Sequence, residues 1–181
     1  MTILVAYATC HGSTRGVAER IASRLDLSGV EAEVRSAGDV PSVDAYEAAV
    51  LGSAIHGGRW LPEATELAVG HAPALRDRPT WLFSVSTVGD EESMFPSAVA
   101  RRMRAMRKDT KELVELRQIL EPVEHRNFAG AIAPSDWPAT GRLFFRAVGG
   151  RYGDHRNWAA IDRWGDKIAS RASARPDGRG G

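Results

Sequence analysis

The sequence predicts a three-layer α/β fold, in which helices cover both faces of a five-stranded parallel sheet with the strand order 2-1-3-4-5. The main observation is that apolar runs of strand length alternate with segments of helical periodicity along the chain. Its 181 residues, 43% hydrophobic and 26% charged, contain no internal repeat and no boundary signal. We therefore expect one domain over residues 1–172, followed by a disordered Gly- and Arg-rich tail at residues 173–181.

The first half of the chain contains three predicted strands and two predicted helices. Residues 2–8 form a near-continuous apolar run, which is typical of a strand that is buried on both faces. From Ser13 onward, apolar residues recur every four positions and stop before Gly29, as expected of a helix with one buried face. The remaining elements of this half are an edge strand at 31–35, a buried strand at 47–55 and a helix at 62–76.

The second half continues the alternation with longer segments. A buried strand is expected at residues 80–86 and a long helix at 96–120. That helix carries a row of apolar residues that we expect to face the core, namely Val99, Met103, Met106, Leu113, Leu116 and Leu120. Residues 127–133 are the last predicted strand, and the closing helix at 156–170 has on one side Trp158, Ile161, Trp164 and Ile168. Between them, 134–155 has no regular pattern, and loops of that length are usually functional or mobile.

Three loops of this fold are expected to share one ligand site. In an open α/β sheet, ligands bind beyond the carboxyl ends of the strands, at the point where the strand order reverses. The loops at that point are residues 9–14, 52–60 and 86–93, and all three are rich in Gly, Ser and Thr. No Cys/His cluster has the spacing of a zinc site, so no metal is expected.

The first of these loops, TCHGST at residues 9–14, has the composition of a phosphate-binding loop. The N-terminus of the helix that follows it leaves backbone N–H groups unpaired and carries partial positive charge. Gly12 allows close approach of the backbone to an oxyanion, and Thr9, Ser13 and Thr14 can donate hydroxyl hydrogen bonds. The alternative is that Ser13 or Thr14 only caps the helix. The motifs of Walker-type nucleotide triphosphatases and of dinucleotide-binding proteins are both absent.

Three stretches of the chain resemble the flavodoxins and their relatives. YATCHGST resembles the FMN-phosphate loop Thr/Ser-x-Thr-Gly-x-Thr of flavodoxins, with Thr9, Gly12 and Thr14 matching and His11 in place of a Thr. Residues 49–89 and the later segment RLFFRAVGGRYGD are similar to the flavodoxin-domain family that includes menaquinone-dependent protoporphyrinogen oxidase. The resemblance spans nearly the whole chain. It implies a flavodoxin-like three-layer sandwich with an extra segment before the last helix, and FMN as the cofactor.

The resemblance also implies roles for particular residues. The FMN phosphate would be held by Thr9, His11, Gly12, Ser13 and Thr14. One side of the flavin ring would be lined by Ser53, Ala54, Ile55, His56 and Gly57, and the other side by Ser86, Thr87, Val88 and Gly89. Trp60 would either stack on the ring or pack against the helix that follows it. His56 would act as a proton relay near the ring or would be an ordinary surface histidine.

Two alternatives to flavin chemistry remain open from the sequence. Low-molecular-weight tyrosine phosphatases and related arsenate reductases place a nucleophilic Cys after the first strand in a C-x5-R loop. Here Cys10 and Arg15 form C-x4-R, which would turn the guanidinium about 100° away around the helix start. The late acid of such enzymes would correspond to Asp136 beside Trp137. The other alternative is a binding protein that keeps the fold without the cofactor, which the substitution of His11 would permit.

The function implied by the resemblance is that of an FMN-dependent oxidoreductase, which transfers electrons from a small reduced substrate, best protoporphyrinogen, to a quinone. A flavodoxin-like electron carrier or a quinone reductase with another partner is the alternative. Basic residues at 101–111 suit an anionic substrate or an acidic membrane surface, or they form a solvated helix face. The apolar group Leu143–Phe145 suits the same partners, or it is part of the core. We expect a cytoplasmic protein with such peripheral membrane contact as an option, no nucleic-acid partner and an open oligomeric state.

Overall fold

Five parallel strands form the central layer in the computed structural model, which describes residues 1–136 and 139–174. In chain order, the strands of the described residues are β1 (Thr2–Ala8), β2 (Glu31–Ser36), β3 (Ala48–His56), β4 (Arg59–Trp60), β5 (Thr80–Ser86), β6 (Glu124–Ala129), β7 (Ala131–Ile132) and β8 (Gly153–Asp154), and the parallel five are β1, β2, β3, β5 and β6. The parallel order is β2-β1-β3-β5-β6. This confirms the predicted order 2-1-3-4-5, because β4 is only a two-residue strand that pairs antiparallel with the end of β3. Strands β7 and β8 form a separate antiparallel ribbon.

Helices cover both faces of this sheet. They are α1 (Ser13–Leu27), α2 (Pro62–Gly70), α3 (Ala72–Arg76), α4 (Ser97–Met106), α5 (Lys111–Leu120), α6 (Ala139–Ala147) and α7 (Trp158–Ser173). One apolar core lies between the sheet and the pair α1 and α7, and a second lies between the sheet and α2, α3 and α5. Over the described residues, each helix is too short or too polar to cross a membrane.

Aromatic rings that pack edge to face lie in the core beneath α1 and α7. Phe83 on β5 lies 6.1 Å, centroid to centroid, from Trp164 on α7, and Phe128 on β6 lies 5.6 Å from the same indole. Gly52 of β3 makes room for the Phe83 ring, because a Cβ atom at that position would lie only 1.9 Å from it. The strand therefore needs a glycine where the ring crosses it.

The two helices predicted between β4 and β6 are each divided. The segment predicted as one helix at 62–76 breaks at His71. The new helix begins at Ala72, and Pro73 in its first turn has no N–H to donate to the preceding turn. The segment predicted as one helix at 96–120 is α4 and α5. The Thr110 hydroxyl caps α5 by accepting a hydrogen bond from the Leu113 N–H at 3.1 Å.

The division of the second helix also corrects its core-facing row. Its C-terminal part is buried as predicted, at Leu113, Leu116 and Leu120. Its N-terminal part is exposed, at Val99, Met103 and Met106. The two stripes share a period but belong to separate helices, so that only the second one faces the sheet.

The segment before the last helix is more regular than predicted. The strand expected at 127–133 begins earlier and ends at Ala129, and after Gly130 the chain enters the β7–β8 ribbon. The segment expected to be irregular contains a short 3-10 turn (Pro134–Asp136) and α6 between β7 and β8. Of the group Leu143–Phe145, only Phe145 is buried.

Helix α7 agrees with its prediction apart from its ends. Asn157 caps it by accepting a hydrogen bond from the Ala160 N–H at 2.9 Å, and it continues to Ser173. Trp158 is partly exposed and has the Arg156 guanidinium 4.3 Å above its ring, in contrast to the predicted core position. The domain end expected at residue 172 and the tail expected at residues 173–181 stay predictions. Residues 175–181 of that tail lie outside the described residues.

Candidate functional site

The three loops predicted to share a site follow strands that end side by side. In the parallel register, Ala8 at the end of β1 lies beside Ser53 of β3, and Ala54 lies beside Val85 near the end of β5. The segments that follow these strands therefore leave the same edge of the sheet. This is the edge at which ligands bind in doubly wound α/β folds.

The loop between β1 and α1 leaves the start of the helix open to an anion. Gly12 is the residue before the helix and has a φ of 83°, a conformation that favours glycine. Its N–H donates to the Thr9 hydroxyl at 3.0 Å, so Thr9 shapes the loop. Among the described residues no side chain caps the helix, which leaves the first backbone N–H groups of α1 for a ligand.

The first two residues of α1 use their hydroxyl groups differently. The Ser13 oxygen accepts a hydrogen bond from the Ala131 N–H at 2.8 Å, which ties the loop to β7. The Thr14 side chain is fully buried, and its hydroxyl has no hydrogen-bond partner among the described residues. An unpaired buried hydroxyl costs free energy, so a ligand that pairs with it is favoured. A phosphate at this helix start meets that need, and the residues present therefore fit FMN.

The structure does not support Cys10 as a nucleophile. Partial burial, and secondarily the charge of Glu63, raise the pKa of the Cys10 thiol, whereas a reactive cysteine needs a lowered one. The Arg15 guanidinium donates to Glu19 at 2.7 Å along the outside of α1. Trp137, which the phosphatase alternative paired with Asp136, lies outside the described residues.

His11 stands exposed in the same loop. Its Nδ1 lies 3.8 Å from the Asp136 carboxylate, which belongs to the segment between β7 and α6. The Asp136 carboxylate also accepts a hydrogen bond from the Ala133 N–H at 2.7 Å. The residue that replaces a Thr of the flavodoxin loop therefore faces the extra segment before the last helix.

The second loop is mostly strand. β3 continues through Ala54 and Ile55 to His56, and Gly57 and Gly58 turn the chain into β4 with φ values of 58° and 78°. Positive φ at both central residues is the geometry of a type I′ hairpin turn, which the Gly-Gly sequence permits. His56 and Gly57 are exposed at the tip, and Ala54 and Ile55 are half-buried.

Two side chains of this hairpin already form hydrogen bonds within the protein. The buried Ser53 hydroxyl accepts a hydrogen bond from the Leu61 N–H and donates one to the Ala54 carbonyl, both at 2.9 Å. Trp60 is 3% exposed, and its indole N–H donates to the Ser84 hydroxyl at 2.8 Å. The structure thus favours packing over flavin stacking for the Trp60 ring.

The third loop is folded on itself. The Ser86 hydroxyl accepts from the Val88 N–H at 3.2 Å and donates to the Val88 carbonyl at 3.0 Å. The Thr87 carbonyl accepts from the Met94 N–H at 3.0 Å. Gly89 lies so close to β6 that a Cβ would come within 2.3 Å of the Ala129 nitrogen. These contacts hold the loop beside the end of β5.

Residues to which the sequence analysis gave no role in this loop brace it. The Asp90 carboxylate accepts from the Asn127 N–H at 3.0 Å and from Arg107 at 2.6 Å. Burial alone would raise the pKa of Asp90, but these hydrogen bonds outweigh it and the pKa lies below its ordinary value. The Arg104 guanidinium donates to the carbonyls of Gly89 and Glu91 at 2.7 and 2.9 Å. The role of these two arginines could not be predicted from sequence, because their hydrogen-bond acceptors lie in a loop that has no recognisable motif.

A polar network lies behind the hairpin. The Ser84 hydroxyl accepts from Trp60 and contacts the His125 Nε2 at 2.9 Å, while the His125 Nδ1 lies 2.9 Å from the Arg117 guanidinium. Because Arg117 can only donate, the Nδ1 accepts and the Nε2 carries the proton. Burial, and secondarily the charge of Arg117, lower the pKa of His125 to about 4. The ring is therefore neutral at physiological pH.

Comparisons with known proteins agree with this architecture. A 90-residue stretch is 30% identical to the protoporphyrinogen IX dehydrogenase [quinone] of Escherichia coli K12 and covers 49% of this chain and 50% of that protein. The chain thus spans about half the length of the curated relatives it matches. Among solved structures, an archaeal flavodoxin superposes with a TM-score of 0.54 at 18% identity over 96% of this chain and 99% of its own.

A second solved structure shares the fold as part of a larger protein. The rubredoxin oxygen:oxidoreductase of Desulfovibrio gigas superposes with a TM-score of 0.60 at 12% identity, over 96% of this chain and 36% of its own. At the sequence level, the flavodoxin domain profile matches residues 4–155, which is most of the chain. The chain therefore belongs to the flavodoxin domain family, and its cofactor is FMN.

Proposed function

We propose that this flavin-binding electron-transfer protein is an enzyme that oxidises a reduced organic substrate, with protoporphyrinogen as the best candidate, and passes the electrons to a quinone. The observation that carries the flavin part is the buried Thr14 hydroxyl, which has no partner among the described residues and lies in the first turn of an uncapped helix. A phosphate group of FMN would supply the missing partner.

The phosphate end of FMN would be held by the loop before α1. The free N–H groups of the helix start and the Thr14 hydroxyl would donate to the phosphate. Thr9 would act indirectly, since its oxygen already holds the Gly12 N–H. Ser13 would keep the loop in place through Ala131 and retain its own proton to donate. His11 would add an exposed donor beside the phosphate.

The ring end would lie between the β3–β4 hairpin and the loop after β5. Flavin supplies the redox chemistry when bound, and the protein orients it and tunes its environment. Because the Ser53 and Ser86 hydroxyls are bonded within their own loops, the contacts would come from those backbone groups of Ala54–Gly57 and Thr87–Gly89 that the loops do not already use. The carbonyls of Thr87, Val88 and Gly89 already accept hydrogen bonds within the protein. His56, exposed at the hairpin tip, would be the side chain nearest a protonated substrate.

The choice of substrate and acceptor is supported by similarity and by charge. The E. coli relative is named for protoporphyrinogen and a quinone, and it matches half of this chain. Protoporphyrinogen is apolar with two carboxylates, which suits a protein that exposes apolar and arginine side chains near the site. These are Arg142, Leu143, Phe144 and Arg146 on α6, whose buried Phe145 packs on Phe95 of the loop after β5.

Two measurements test the proposal in order. The purified chain, titrated with FMN, should bind it and show the flavin absorption band at about 450 nm. The loaded protein should then oxidise protoporphyrinogen only when menadione is present as acceptor. A chain that ignores FMN contradicts the flavin part. A chain that binds FMN without turnover contradicts the substrate assignment and leaves an electron carrier or another quinone reductase.

A matched pair of variants separates a substrate effect from a cofactor effect. Arg142→Gln with Arg146→Gln should raise the KM for protoporphyrinogen about tenfold, because each removes a cation from an anion site. Arg35→Gln with Arg76→Gln removes the same charge elsewhere and should leave the KM unchanged. FMN affinity should be equal in all of these proteins, and an equal KM in both pairs would exclude α6 from the substrate site.

A further inference from the structure

Two helices of this domain are barely packed against the rest of it. Of the ten residues of α4 only Ala100 is buried, and of the nine residues of α6 only Phe145 is buried. Helices of this length are marginal in water, and in proteins they gain most of their stability from a packed apolar face. Both nevertheless display large apolar side chains to solvent, at Val99, Met103, Met106, Leu143 and Phe144, and Val148 just after α6 is exposed as well.

The charge on these helices is of one sign. Residues 97–106 and 139–147 contain five arginines and no Asp or Glu. Within the described part of the chain, four of these arginines form no ion pair, namely Arg101, Arg102, Arg142 and Arg146. Arginine beside protruding Leu, Phe and Met on a short amphipathic helix is the pattern of helices that lie in the headgroup layer of an anionic bilayer.

The two helices meet at one corner of the molecule. Phe95 and Phe145 pack edge to face at 5.4 Å, and the Arg151 N–H donates to the Met94 carbonyl at 2.9 Å. Pro96, which precedes α4, lies against Gly149, which follows α6. The two apolar stripes therefore flank the same small hydrophobic cluster. We call the exposed side chains of α4 and α6 the α4–α6 surface.

We infer that the α4–α6 surface docks the protein on the face of an anionic lipid bilayer. Leu143, Phe144 and Met106, which are 74%, 67% and 67% exposed, would enter the headgroup layer, and the unpaired arginines would contact lipid phosphates. A second copy of this chain is disfavoured, because a two-fold contact would place the same cationic surface against itself.

Hydrogen bonds connect this surface to the loop that would flank the flavin. Arg104 of α4 holds the Gly89 and Glu91 carbonyls, and Arg107 just after α4 holds Asp90. Quinones dissolve in lipid, so a bilayer at this surface would bring the acceptor close to the flavin loop. Only this use of the surface rests on the proposed function; the docking itself rests on the two helices.

The test is binding of the full chain to vesicles of phosphatidylcholine, alone or mixed with phosphatidylglycerol. Binding to the mixed vesicles should be at least about tenfold tighter than to phosphatidylcholine alone. It should be lost when salt rises from about 0.1 M to about 1 M, which shortens the screening length from about 10 Å to about 3 Å. Equal binding to both vesicles, or no binding to either, overturns the inference and leaves the surface to an acidic protein or a second copy.

Matched variants locate the surface. Leu143→Ser with Phe144→Ser should weaken binding about tenfold, whereas Leu27→Ser, which is equally exposed on α1, should not change it. Changing Arg101, Arg102, Arg142 and Arg146 to Gln should weaken it at least as much, whereas the same change at Arg35, Arg76, Arg163 and Arg171 should have a smaller effect. Unchanged binding in both surface variants overturns the assignment, as does a dimer that Leu143→Ser with Phe144→Ser dissociates.

The same experiment separates this inference from the proposed function. Vesicle binding is measured with and without added FMN, and folding of each variant is checked by circular dichroism. Vesicle binding without FMN binding would contradict the proposed function and keep the docking surface. FMN binding and turnover without vesicle binding would do the reverse. The arginine variant provides a second route if the apolar variant does not fold.

Discussion

The helix pair α1 and α7 and the helix pair α4 and α6 use similar residues in opposite ways. On α1 every arginine is paired: Arg15 with Glu19 on the same helix, Arg20 with Asp162 of α7, and Arg24 with Asp166 of α7. The apolar stripes of both helices are buried on the sheet. On α4 and α6 the apolar stripes face solvent, and Arg101, Arg102, Arg142 and Arg146 form no ion pair with any described residue.

The difference teaches that helical periodicity identifies a stripe without identifying what covers it. The stripe Ile161, Trp164 and Ile168 packs in one core cluster with Phe83 and Phe128 of the sheet. Gly165 allows α7 to lie close to Arg24 of α1. The stripe Val99, Met103 and Met106 has the same kind of spacing but is exposed to solvent. The first stripe stabilises the fold, and the second is available to a partner.

The largest expected effect is on the packed side. Trp164→Ala removes a side chain that is 3% exposed and in contact with two aromatic rings, so it should lower the free energy of unfolding by about 3–5 kcal/mol. Phe144→Ala on α6 should change it by no more than about 0.5 kcal/mol. Urea unfolding of both variants measures the contrast, and similar losses would show that α6 is packed in solution.

A second expected effect concerns pH and belongs to the packed part around β6 and α5. The pKa of His125 is lowered from 6.5 to about 4 in the folded protein, so the unfolded chain takes up the proton first as pH falls. This contribution to stability is complete above about pH 6.5 and is lost progressively down to about pH 4, by about 3 kcal/mol in total.

His125→Gln tests that assignment. Glutamine cannot titrate, so the slope of stability against pH between about 4 and 6.5 should be flatter in the variant. Unfolding in urea at a series of pH values provides the comparison. The parent protein, unfolded under the same conditions, is the control. The same slope in the His125 variant would contradict the buried, neutral histidine.

A third effect separates cofactor binding from folding at the first turn of α1. Thr14→Val removes the unpartnered hydroxyl while keeping its volume, so the protein without FMN should be equally or more stable. FMN binding should weaken by about 1.5–3 kcal/mol, because a charge-assisted hydrogen bond to the phosphate is lost. Cys10→Ala should leave FMN affinity nearly unchanged. Fluorescence titration with FMN measures both variants, and the reverse ranking would contradict the role given to this loop.

The parts of the fold that could be predicted from sequence are those in which one local pattern is complete. β1, β5 and α1 have the expected bounds because their apolar periods run uninterrupted and Gly29 marks the end of α1. The break between α4 and α5 was missed since residues 107–110 contain no Gly or Pro, and its only sign is the capping Thr110. The β7–β8 ribbon and α6 were missed because these segments are too short to show a recognisable period.

The candidate site was predictable in position but not in detail. Strand order and Gly-rich loops identified the edge of the sheet, since the carboxyl ends of parallel strands share one edge. The side-chain partners were not predictable: Ser13 bonds to Ala131, which is 118 residues away in sequence, and Ser53 and Ser86 bond within their own loops. Such bonds depend on tertiary placement, and a hydroxyl that looks free in sequence can already be used.

The smallest expected effect tests whether the α1–α7 ion pairs differ in kind from the unpaired arginines of α4 and α6. Arg24 donates two hydrogen bonds to Asp166, at 2.8 and 2.9 Å, and both side chains are partly exposed. A double-mutant cycle with Arg24→Gln and Asp166→Asn should give a coupling energy of about 0.5–1 kcal/mol, which should shrink in high salt. Arg102→Gln should leave the free energy of unfolding unchanged, because this guanidinium has no ionic partner among the described residues. A coupling energy of zero would mean that the packed layer is held by its apolar stripe alone, and that the paired arginines of α1 are as free for a partner as those of α4.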